Sequence, residues 1–205
     1  MEVVMAVAFS EEEKRFINDK LKEAARECLS RYGVKKTTVD QLVQMAGIAK
    51  GSFYKFYDSK EILFFTVLED YQKSLLEGLA DSLKSEEDLN ADKFSELIYE
   101  LYQKVRHSFI INIVKDNEME YLMRKLPKEL ILKHHLFDMH FASEIFLYVK
   151  IKEGVSLEVV TASLRAIFMS MLHIEEVGAK NFDDALKLLI RGLAVQVLEG
   201  ELEND

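Results

Sequence analysis

Apolar residues recur along this chain at intervals of three and four. Phe16, Ile17, Leu21, Ala24, Ala25, Cys28, Leu29 and Tyr32 make the first such stripe, the spacing of a helix with one buried face. Ser10 followed by Glu13 is a capping-box pattern that opens this helix,. Gly33 supplies a left-handed stop. Thr38 with Gln41 repeats the capping pattern and predicts a helix over Val39–Ala46, broken by Gly47,. A third short helix spans 50–56. Asp58 with Glu61 caps a longer one, starting near Ser59, whose apolar run from Ile62 through Tyr71 to Leu79 carries it to about Leu83. Ser85–Asp92 is acidic and polar and reads as a linker. Five further helices follow, over 93–107, 109–125, 127–149, 157–178 and 181–200, with the sole proline, Pro127, in the first turn of one of them,. The pattern predicts an all-α protein of about nine helices.

The two short helices around Gly47-Ile48 have the length and turn of a helix-turn-helix, which places its second helix in the DNA major groove. Val39, Leu42, Val43 and Ala46 share one face, and Ile48, Phe53 and Phe56 are placed to pack against it. Lys50, Ser52 and Lys55 are left outside. Charge changes the picture further. The chain carries a net −9, which by itself argues against nucleic acid. Residues 20–60, however, hold nine Lys or Arg against four Asp or Glu, a local +5, so the remainder sums to −14. A small basic part on a large acidic part is the asymmetry of a DNA-reading head on a body that avoids DNA.

The last two helices lack a wet face. In Leu157–Ile174 twelve of eighteen residues are apolar, and in Ala185–Leu198 only Lys187, Arg191, Gly192 and Gln196 are not. Such helices need cover on two sides, and a two-fold four-helix bundle formed with a second copy supplies it. Ala162, Ala166 and Ser170 form a small-residue row suited to close approach, with Leu186, Leu189 and Leu193 as the apolar contacts of the final helix.

Other chemistry is sparse. Cys28 is the only cysteine, which excludes an intramolecular disulfide and a cysteine-based zinc site,. There is no glycine-rich phosphate loop and no nucleophile motif. No apolar run approaches the ~20 residues of a membrane span, and the first nine residues lack the basic start of a secretory signal; the expectation is a cytoplasmic protein with no cofactor. His134, His135 and His140 with Asp138 and Glu144 invite a metal reading, since His134/Asp138 and His140/Glu144 are each one turn apart,. No Glu precedes a His by three residues, as a di-iron bundle requires,, and a hydrated or pocket-lining helix face is the preferred reading. A helical metal-binding protein or enzyme built on these histidines is the alternative.

Gly33, Thr37-Thr38-Val39, Ala46-Gly47-Ile48, Lys50-Gly51-Ser52, Tyr54, Phe56 and Lys60-Glu61-Ile62-Leu63 resemble the DNA-binding head of the TetR family of bacterial transcriptional regulators. The match covers about 30 residues; Phe56-Tyr57 and Val43 depart mildly from the family pattern. The resemblance implies a homodimer with a DNA-binding head over 1–58 and a ligand-binding and dimerising helical body over 59–205. It further implies a repressor that a small apolar effector releases from operator DNA.

Within that frame Lys50, at the start of the recognition helix, is expected to reach a base or a phosphate, and Ser52 either one. Thr38 combines capping with phosphate donation. Lys55 adds nonspecific attraction, and Phe53 is a candidate for a thymine methyl, with a core role equally open. The family pattern places Tyr54 on backbone phosphate. Lys60 sits in the first turn of its helix, where a cation opposes the helix dipole, so a phosphate contact is expected to account for it. In the body, Tyr102, Phe109, Phe137, Phe141, Phe168 and His173 are candidates to line an apolar ligand pocket,.

Overall fold

The computed structural model describes residues 9–86, 88–134 and 146–198. The helices are α1 (Glu11–Arg31), α2 (Gly33–Lys36), α3 (Val39–Ala46), α4 (Lys50–Phe53), α5 (Lys60–Ser85), α6 (Ala91–Arg106), α7 (Phe109–Lys115) and α8 (Glu118–Lys125), then α9 (128–134, as far as described), α10 (Leu157–Ser170), α11 (Ile174–Val177) and α12 (Phe182–Val197). Among the described residues, extended pairing is limited to one antiparallel bridge, Ile151 to Leu198. The fold is all-α.

The capping signals act as the sequence indicates. Ser10 with Glu13 and Thr38 with Gln41 both close reciprocal capping boxes. Gly47 adopts φ +70°, a left-handed conformation that costs an L-residue about 1 kcal/mol or more,. The cap of α5 differs from expectation: the Ser59 hydroxyl, not Asp58, accepts from the Ile62 N–H at 3.2 Å. One helical turn is added and two predicted continuities are broken. A four-residue helical turn, α2, follows α1 from Gly33 at φ +76°. Asn117 at φ +53° divides 109–125 into α7 and α8. A 3-10 turn over Met171–His173 interrupts 157–178.

The chain forms two compact units. The first comprises residues up to Leu68 together with Asp116–Leu126, and the second Glu69–Lys115 with 127 onward. The first therefore takes in the start of α5 and all of α8, which a boundary at residue 58 assigns to the body. In this unit α1 packs on α3 and α3 on α4, with Leu21, Ala25, Cys28, Leu42, Phe53 and Phe64 buried. Each large apolar side chain so enclosed contributes about 1.5–3 kcal/mol.

In the second unit α6 and α10 pack on α12. Phe94, Ile98, Tyr102, Val160, Met171, Leu186 and Ile190 form its core. Arg106 to Asp183 and Arg191 to Asp92, each at 2.6 Å, tie α6 to α12 at the surface. Leu186 therefore belongs to the interior of the subunit and is not available to a partner, whereas Leu189 is 53% exposed and Leu188 73%. Ala162 and Ala166 are exposed, and Ser170 and Leu193 half-buried. Contrary to the expectation that no apolar run approaches a membrane span, Leu157–Val177 is long and apolar enough by composition. Its most apolar 18-residue window has a mean hydropathy of 1.4, and only 11% of that window is buried within the subunit.

Candidate nucleic-acid interface

The helix-turn-helix is built from its interior outward. Leu42 and Val43 on α3 and Phe53 on α4 are buried, with Ile48 half-buried beside them. The Ile48 N–H closes back on the Val43 carbonyl at 3.0 Å, which sets the turn. Phe53 has no exposed surface, so it is a core residue and the expected thymine contact is corrected; an aromatic at the foot of a short recognition helix is needed to anchor it. Hydrogen bonds from the Phe56 and Tyr57 N–H groups to the Phe53 carbonyl extend the turn beyond α4. Tyr57 is locked in place by donating its hydroxyl to Asn18 Oδ1 at 2.5 Å.

With these side chains inside, Thr38, Lys50, Tyr54 and Lys55 stand exposed and Ser52 is half-buried. Tyr54 meets Phe53 edge-on, with ring centroids 5.3 Å apart, while half of its surface is free. The Lys55 ammonium lies 5.1 Å from the centre of the Phe9 ring, which in turn packs on Phe56. Thr38 uses its hydroxyl as the N-cap acceptor for the Gln41 N–H at 3.3 Å and donates it to Gln41 Oε1 at 3.1 Å, so donation to an external oxygen requires the hydroxyl to leave the Gln41 side chain. Lys50 is not a free cation: its Nζ lies 2.9 Å from Asp40 Oδ1 and 3.0 Å from Oδ2. Asp40 holds the ammonium above its ordinary range, through the hydrogen bond first and the charge second.

Lys60 also has a local partner set. Its Nζ donates to the Val34 carbonyl at 2.9 Å and to the Thr37 carbonyl at 2.5 Å. The premise that local stability leaves this lysine unexplained is thus corrected: it opposes the dipole of its own helix, but it satisfies carbonyls at the end of α2.

The body candidates are not gathered into one site. Tyr102 is buried, donates its hydroxyl to the Leu164 carbonyl at 2.6 Å, and stacks edge-on against Phe168 at 5.9 Å. Burial pushes its ionisation well above the ordinary phenol range. Its polar atom is thereby committed to the core. Phe109 stacks on Tyr71 at 5.3 Å. His173 is exposed, 3.8 Å from Glu176, and faces away from the subunit interior. Phe137, Phe141, His135, Asp138, His140 and Glu144 lie outside the described residues. His134 lies 3.5 Å from Glu69; among the described residues no three metal-ligating side chains cluster.

Sequence reasoning passed over Asp40 and Glu118. An acid ten residues before Lys50 carries no motif signal, and Glu118 acts on backbone groups far away in the chain.

The profile of the bacterial regulatory proteins of the tetR family matches residues 21–67, the segment that holds α2, α3 and α4. Over these residues the chain is similar to the DNA-binding head of the TetR family. TetR-family proteins are DNA-binding transcriptional regulators. An HTH-type transcriptional regulator of Bacillus subtilis, YhgD, is 29% identical over 99 residues, 46% of this chain. The alignment spans 50% of that relative's length. Among solved structures, the regulator FadR of Bacillus subtilis in complex with stearoyl-CoA aligns over 87% of this chain and 98% of its own, at a TM-score of 0.62 and 18% identity. SCO4454, a TetR-family regulator of Streptomyces coelicolor, aligns over 90% and 97% at a TM-score of 0.65 and 13% identity. At these identities the two structures establish the fold.

Proposed function

We propose that this protein is a cytoplasmic, homodimeric repressor of the TetR family, released from its operator when a small apolar molecule binds its body. The observation that carries the DNA half is the exposed set Thr38, Lys50, Tyr54 and Lys55, with half-buried Ser52 among them, on a capped helix-turn-helix, in a chain whose net charge is −14 outside residues 20–60. Lys50 and Ser52 read base edges or phosphate, Tyr54 and Thr38 hold phosphate, and Lys55 and Lys60 add positive charge. The assembly rests on the uncovered apolar surface of α10 and α12. Val159 and Met169 on α10 and Leu188, Leu189 and Val195 on α12 are all more than 40% exposed. Two neighbouring helices with bare apolar faces match the self-complementary patch of a two-fold dimer.

The apolar effector class follows from the aromatic- and Met-rich body, whose acidity favours an uncharged or cationic ligand,; the acyl chain is taken from FadR, similar in fold and solved in complex with stearoyl-CoA. A long acyl chain is the apolar moiety we assign. Release requires that the ligand favour the DNA-incompetent arrangement of the two heads, and α5, one unbroken helix shared by both compact units, is the element that carries the change. The test is a mobility shift of operator DNA with stearoyl-CoA, stearate and free coenzyme A added separately. Release by either acyl compound and not by coenzyme A is expected; release by none of the three contradicts this effector class.

A further inference from the structure

Glu118 is among the few charged side chains buried in the described structure, 7% exposed. It opens α8, which belongs to the first compact unit although it lies some way along the chain from the helix-turn-helix. Its Oε2 accepts the Val34 N–H at 2.6 Å and its Oε1 the Lys35 N–H at 3.2 Å. A carboxylate taken out of water requires such donors, and two backbone N–H groups of one turn satisfy it as a fork.

The site is shaped to receive it. Gly33 lies at φ +76°, which favours glycine, and a Cβ there would stand 2.3 Å from Glu118 Oε2, so any side chain would displace the carboxylate,. The opposite end of the same turn is held by Lys60 on the Val34 and Thr37 carbonyls and by the Thr37 hydroxyl on the Gly33 carbonyl at 2.7 Å. Thr38, the next residue, is the N-cap of α3. A carboxylate therefore holds the N–H end of α2 and an ammonium the carbonyl end, and the helix-turn-helix starts directly from this clamped turn.

Chain connectivity gives the clamp a further property. The chain passes between the two units at Leu68/Glu69, Lys115/Asp116 and Leu126/Pro127. The α8 segment lies between the last two crossings, so residues of the second unit flank it on both sides.

We propose that Glu118 is a positioning residue for operator recognition: its grip on Val34 and Lys35 sets the turn from which α3 starts, and makes the register of the DNA-reading helices depend on α8. This rests on the DNA-binding reading above.

The test uses the full-length protein, a duplex that the parent enriches from a random-sequence library, and a scrambled duplex of the same composition. Parent, Glu118→Ala, Glu118→Gln and Gly33→Ala are titrated at a temperature where circular dichroism shows each folded. Glu118→Ala is expected to lose tenfold or more on the enriched duplex and less than twofold on the scrambled one, because exposed lysines still meet phosphates. Glu118→Gln keeps one acceptor oxygen for the Val34 N–H but sets an NH2 against the Lys35 N–H, and recovers only part of the loss,. Gly33→Ala displaces the carboxylate and reproduces the loss, but costs less when Glu118 is already Ala. A brace serving stability alone lowers the thermal midpoint and leaves the ratio of the two affinities at the parent value, and that result overturns the proposal, as do equal losses on both duplexes. If Glu118→Ala does not fold, Glu118→Asp, which withdraws the oxygens by one methylene, decides by the same ratio. A parent that enriches no sequence is a separate outcome: it removes the DNA-binding reading and this inference with it.

Discussion

Asp40 on α3 and Lys50 on α4 form an ion pair, 2.9 Å from nitrogen to oxygen, on the exposed side of the helix-turn-helix. It places a negative charge on the face assigned to DNA, and the cation assigned to base or phosphate must leave this partner to reach either.

Asp40→Asn removes that competitor. Binding to any duplex is expected to tighten several-fold at low salt, and the slope of log affinity against log salt to steepen by up to about one, as one more cation becomes free for phosphate. Lys50→Ala instead shifts sequence preference. Titrations at several salt concentrations check both; unchanged affinity in Asp40→Asn contradicts the placement of this pair against DNA.

Lys60→Met removes the charged donor from the Val34 and Thr37 carbonyls. Denaturant unfolding is expected to show a loss of about 1.5–3 kcal/mol, the range of hydrogen bonds made by charged groups. If Lys60 also meets a phosphate, the salt slope falls by about one. Parental stability in Lys60→Met contradicts the structural role.

Leu189→Asp tests the assembly. The side chain is largely exposed within the subunit, so the fold tolerates a carboxylate, whereas a dry interface does not, at a cost of several kcal/mol. Sedimentation is expected to show a dimeric parent and a monomeric, helical variant. A monomeric parent contradicts the two-fold bundle.

Glu69 gives a pH signature. Burial raises its carboxyl above the ordinary value of 4.5, against the partial compensation of His134. A folded-state value above the unfolded one means that the protonated form favours folding. That contribution is present below pH about 4.5 and is lost as pH rises through the raised folded value. Glu69→Gln is therefore expected to stabilise at neutral pH, with an advantage that shrinks on acidification. Parallel stability curves for variant and parent contradict it.

The parts of this fold legible in the sequence are those where one residue type has one physical use. Ser10 with Glu13, Thr38 with Gln41, and Gly47 in its turn each fix a boundary by backbone chemistry. The apolar spacing 42, 43, 53 places the head's core, although the same spacing leaves open whether Phe53 faces DNA or the interior. Three things were not legible. The Asp116-Asn117 break lies within an apolar pattern that reads as continuous. Leu186 and Leu189 have the same sequence character, but only packing separates a buried leucine from an exposed one. The contacts of Glu118 with Val34 and Lys35, and of Lys60 with Val34 and Thr37, join side chains to backbone groups across the chain, which no local pattern records.

Selection of duplex DNA from a random-sequence library by the full-length protein tests the central claim most directly. Two heads on one dimer are predicted to enrich a two-fold symmetric sequence whose half-sites lie about 10–10.5 base pairs apart, or a multiple of that, and Lys50→Ala to change the bases enriched in each half-site. Enrichment of no sequence above the starting library, or of a lone unrepeated half-site by a monomer, contradicts the account.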